Sequence, residues 1–72
     1  MKRRFILFDG RAADGDTEGA MCFGFEDTMK AAIKSARDHG EAAIFSFVEV
    51  PGEPGKTDYT IEGLRLEKVV RS

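Results

Sequence analysis

The chain has 72 residues, 42% of them hydrophobic and 33% charged, and its formal net charge is −2. This is the composition of a globular protein at a length that holds one small domain, and the slight negative balance argues against a nonspecific nucleic-acid binder. A single cysteine, Cys22, excludes an internal disulfide, and with one histidine, His39, it cannot complete a tetrahedral zinc site within one chain.

Lys2-Arg3-Arg4 followed by Phe5-Ile6-Leu7-Phe8 imitates the start of a signal peptide, but Asp9 ends the apolar run after four residues, short of the ~7–15 such a segment needs. No stretch approaches a membrane span, so the expectation is a protein in a reducing cytoplasm that does not enter the membrane. The first strand is predicted from about Arg4 to Phe8, apolar on both faces. The next eleven residues, Asp9 to Gly19, are rich in glycine and acid and read as a loop. In Ala20-Met21-Cys22-Phe23-Gly24-Phe25 the larger side chains Met21, Phe23 and Phe25 alternate with small ones, the pattern of a half-buried strand.

From Asp27 the period changes. Met29, Ala32, Ile33 and Ala36 form one helical stripe with Lys30, Lys34 and Arg37 outside it, Asp27 as N-cap and Gly40 as stop. The third strand, Ala42 to Val50, is again apolar on both sides: Ile44 and Val48 face one way, Phe45 and Phe47 the other. Pro51-Gly52-Glu53-Pro54-Gly55 reads as a turn, and a charged last strand begins near Tyr59 with Gly63 marking a bulge. The expected architecture is α+β, a four-stranded antiparallel sheet in strand-strand-helix-strand-strand order with one helix on one face. Placing the two apolar strands centrally gives the order 2-1-3-4.

One helix blankets one surface of such a sheet. Below about 80 residues a single core supplies only ~3–5 kcal/mol, so small folds without disulfides or metals recruit partners. The two-faced strands therefore predict a homodimer, with Phe5, Phe8, Phe45 and Phe47 as interface contributors.

Asp14-Gly15-Asp16-Thr17-Glu18-Gly19 follows the first half of an EF-hand calcium loop, with Asp14, Asp16 and Glu18 at positions one, three and five and glycine at six. Asp9 or Glu26 could add later donors. Against this, Phe25 stands at position twelve, where a bidentate Glu should close the site, and the flanking segments read as strands. The competing reading is a solvated loop that uses Asp and Gly to turn. Basic residues gather near the ends, Lys2, Arg3 and Arg4 and then Arg65, Lys68 and Arg71. With Phe5, Phe45 and Phe47 exposed they would suit single-stranded nucleic acid. The 2-1-3-4 order separates the two clusters and brings the second near the acidic loop. Cys22 is expected to be a buried, inert thiol, and His39 to favour the helix C-terminal dipole. No catalytic constellation emerges from Asp9, Asp14, Glu26 and Asp27.

Phe5-Ile6-Leu7-Phe8-Asp9-Gly10-Arg11-Ala12, then Asp16-Thr17, the helix and Ala43-Ile44-Phe45-Ser46-Phe47 resemble uncharacterised small phage and bacterial proteins with a strand-DGRA-loop start. The resemblance spans most of residues 4–48 and implies an accessory protein, with no catalytic residue or cofactor to carry over. The functional expectation is a non-enzymatic protein-interaction or regulatory protein acting as a homodimer through its acidic loop or the groove beside the helix. A calcium-binding module and a weak nucleic-acid binder are the alternatives.

Overall fold

A computed structural model describes residues 3–51 and 59–71. Residues 52–55 of the proline-glycine cluster and Lys2 of the first basic cluster lie outside them. The elements run β1 (Arg3–Asp9), a 3-10 turn (Gly10–Ala12), β2 (Cys22–Glu26), α1 (Met29–His39), β3 (Ala42–Pro51) and β4 (Tyr59–Val70). They form an α+β fold whose antiparallel sheet has the order β2-β1-β3-β4, as the apolar patterning predicted. Among the described residues, no helix is long and apolar enough to cross a membrane.

α1 packs through alanine. Ala32 and Ala36 are fully buried against Leu7, Ala42, Ile44 and Val70, with Met29 and Ile33 at the margins. A methyl-sized stripe lets the helix approach the sheet closely, at the cost of covering little area. Thr28, rather than Asp27, is the N-cap: its Oγ1 accepts from the Ala31 amide at 3.1 Å. Asp27 is drawn away by Arg4, whose Nε donates to its carboxylate at 2.7 Å. Gly40 ends the helix at φ 114°, a left-handed conformation that favours glycine.

The strand faces divide as alternation requires in β1. Phe5 and Leu7 join the cluster under α1, while Ile6 and Phe8 join a second cluster on the opposite face. That second face holds Ile6, Ala43, Phe45 and Phe47, all buried within one chain. Phe45 is 2% exposed and Phe47 0%. Their cover comes from the chain itself. The loop after β1 folds back so that Ala12 is fully buried in this cluster, with Ala20 packed beside it. Phe8 meets Phe45 edge-on at 5.5 Å between ring centroids, and Phe25 meets Phe47 at 5.7 Å. A loop with two well-placed alanines, Ala12 and Ala20, is the lid on the face that one helix leaves uncovered. Phe45 and Phe47 therefore offer no open area to a second copy, and Phe5 lies on the helix side, away from Phe8.

Bulges set the remaining side chains. Leu7 pairs with Gly24 and Phe8 with Cys22, leaving Phe23 as the extra residue. One inserted residue reverses facing, so Phe23 packs under α1 while Phe25 lies against Phe47 on the other face. This corrects the expectation that Met21, Phe23 and Phe25 share a side. In β4 the predicted bulge at Gly63 is present, with φ 65° and a register shift opposite Ser46/Val48. A second shift, opposite Ile44/Phe45, leaves Glu67 unpaired in the ladder. Its carboxylate accepts from the buried Ser46 hydroxyl at 3.3 Å. Arg3 donates to the same Ser46 oxygen at 2.7 Å and to the Gly63 carbonyl at 2.9 Å. No buried polar side-chain atom among the described residues is left without a partner.

Candidate interaction site

Asp9 is the organiser of the long loop. Its Oδ1 accepts from the Arg11 amide at 3.0 Å and its Oδ2 from the Met21 amide at 3.2 Å, while its own amide donates to the Met21 carbonyl at 3.0 Å. One side chain thus latches both ends of the loop and holds Ala12 and Ala20 over the second face. These amide bonds, Arg11 first and Met21 next, hold the Asp9 carboxyl below its ordinary value of 3.8, with the Arg11 and His39 charges adding to the effect. A depressed folded-state pKa stabilises the fold above the unfolded value, and that contribution is lost as pH falls through the folded value. The Arg11 and Met21 amide resonances are therefore expected to titrate below pH 3.8 in the wild type and to lose that inflection in Asp9→Asn. An inflection at or above 3.8 would show that the latch is not made.

Two of the loop's acidic side chains beyond Asp9, those of Asp14 and Asp16, are engaged in turns. Asp14 Oδ1 accepts from the Asp16 amide at 3.0 Å, and Asp16 Oδ1 from the Glu18 amide at 2.9 Å. These successive Asx turns account for Asp14 and Asp16 as turn formers. Among the described residues, no three His, Cys, Asp or Glu side chains are grouped to hold a metal ion. Arg71 pairs with Glu41 at 3.5 Å and Arg65 with Glu67 at 3.0 Å. Arg65 and Arg71 thus serve their own strand and the β3 entry instead of neutralising the acidic loop.

Two sequence readings are corrected at β2. Cys22 is exposed, with Sγ 3.9 Å from the Gly24 carbonyl oxygen, because the bulge beside it turns it out of the sheet packing. His39 does more than face the helix dipole: its ring stacks on Phe23 at 3.9 Å, nearly parallel at 10°. That contact exists only because Phe23 was turned to the helix side, so strict alternation hides it.

β2 is the shorter of the two edge strands and lacks a charge until its final residue. Met21, just before it, is 72% exposed and Phe25 is 45% exposed. Glu26, the closing residue, accepts from the Ser35 hydroxyl of α1 at 2.9 Å. Natural edges are commonly blunted by lysines, prolines or inward charges, and the opposite edge, β4, carries Arg65, Glu67 and Lys68. The β2 edge, expected from the 2-1-3-4 order, instead presents backbone and apolar side chains; the exposure of Met21 and Phe25 is what the half-buried-strand pattern does not foretell.

The second surface feature lies along α1. An open groove of about 430 Å³ is lined by Lys30, Ile33, Lys34, Arg37 and Asp38. No family model matches the chain, and neither a curated protein nor a solved structure matches it.

Proposed function

We propose that this chain is a non-enzymatic protein-interaction module, an accessory protein in the cytoplasm, that acts as a homodimer joined through the β2 edge. The observation that carries this reading is a solvent-facing edge strand without a protective charge before Glu26, flanked by exposed Met21 and Phe25. Antiparallel pairing of β2 with its counterpart in a second copy satisfies the outward amides and carbonyls of both edges and shields those apolar side chains. Binding rather than catalysis suits the groups on offer, because the carboxylates of Asp9, Asp14 and Asp16 are engaged in holding backbone amides.

Sedimentation equilibrium tests it. The wild type is expected to fit a dimer at tens of micromolar, and Met21→Lys/Cys22→Lys, which places two charges on exposed positions of the edge, is expected to fit a monomer with unchanged far-UV circular dichroism. A wild type that remains a single copy up to millimolar concentration would refute the homodimer.

A further inference from the structure

We propose that the groove on α1 docks an acidic segment of a partner protein, a stretch of Glu or Asp residues carrying one apolar anchor. This rests on the interaction-protein reading and names the chemistry of the partner.

The groove places three cations on one line. Lys30, Lys34 and Arg37 stand at i, i+4 and i+7, so they rise along the same flank of the helix over roughly 10 Å. None of the three makes an ion pair with a described residue, whereas Arg4, Arg65 and Arg71 all do. Arg37 suits the last turn, but the placement of Lys30 works against the helix. Lys30 and Lys34 repel as a like-charge i, i+4 pair. Lys30 further sits in the first turn, which holds no acidic residue, where the dipole disfavours a cation. An external anion relieves both penalties at once.

Ile33 decides what kind of anion. It is only partly buried against the core and forms the apolar part of the lining, so an occupant with a hydrophobic side chain between its carboxylates fits better than a uniform polyanion. No aromatic ring lines the groove for a base to stack on, which disfavours single-stranded nucleic acid. The acidic loop of a second copy is the poorer occupant, because Asp14-Gly15-Asp16-Thr17-Glu18-Gly19 carries no apolar anchor to meet Ile33.

The test is a titration of the ¹⁵N-labelled full chain with a synthetic twelve-residue peptide of glutamates with one central leucine. It is run on the wild type and on Met21→Lys/Cys22→Lys, so that dimerisation and groove binding are read separately. Amide shifts confined to residues 30–38 are expected in both proteins. Affinity is expected to weaken about tenfold or more in Lys34→Glu/Arg37→Glu, whose exposed positions leave the fold intact, and to fall as salt is raised from about 50 to about 300 mM. Three results would overturn the proposal: no shift at low salt with ~1 mM peptide, an equal or larger response to a thymidine oligonucleotide, or shifts of the same residues that grow with protein concentration alone. A monomeric wild type that still binds the peptide removes the homodimer and leaves the groove standing. A dimer that ignores the peptide does the reverse.

Discussion

Phe47→Ala is expected to abolish the cooperative fold. Phe47 is fully buried in a cluster with Ile6, Ala12, Ala43 and Phe45, and Phe25 packs edge-on against it. Truncating a buried phenylalanine costs ~3–5 kcal/mol through lost transfer energy and the cavity left behind. A single small core supplies about the same amount in total. The variant should therefore lose amide dispersion in its NMR spectrum and show no urea transition. Phe47→Leu keeps most of the volume and should remain folded, with a transition midpoint below that of the wild type and an unchanged slope. A cooperative Phe47→Ala transition within ~1 kcal/mol of the wild type would mean that the loop lid does not close this face.

Ala36→Leu probes the other face, by addition. Ala36 is fully buried between α1 and the cluster of Leu7, Ala42 and Ile44. Extra carbon there has to lift the helix or push side chains off their rotamers, at a cost of ~1–3 kcal/mol. Leucine and alanine have similar helix propensities, so a loss of that size in a urea titration reports the helix–sheet spacing and not the helix itself. No measurable loss would show that the alanine stripe does not set the approach. The pair of variants separates the two halves of the core: one face fails when volume is removed, the other when it is added.

Legibility in the sequence followed the range of the interaction. The helix and its end at Gly40 follow from a 3.6-residue period and one glycine, both local. The sheet order follows from which strands are apolar on both faces, since doubly buried strands must be central. The Gly63 bulge was visible because glycine interrupts an alternating run. The Phe23 bulge was not, because nothing in Cys22-Phe23-Gly24 distinguishes an extra residue from a regular one until β1 sets the register. Thr28 and Asp27 are both good caps, and the choice fell to Arg4, which is distant in sequence and takes Asp27 for itself. At the surface, Lys30, Lys34 and Arg37 were readable as the outer side of the helix. The edge position of β2 followed from the strand order, but the exposure of Met21 and Phe25 on it did not, because large apolar side chains in a strand default to the core in any local reading.

What the amino-acid order determined by itself is the α+β class, the helix face, the central strands and the acidic turn spacing, since each depends on neighbours within a few residues. Tertiary structure decided what covers the second face. The alanines of a loop, latched at both ends by Asp9, take the place assigned to a second copy. The physical reason is that apolar area declares only that it must be buried. Which surface buries it depends on where the chain's own loops can reach, and that is settled by long-range geometry.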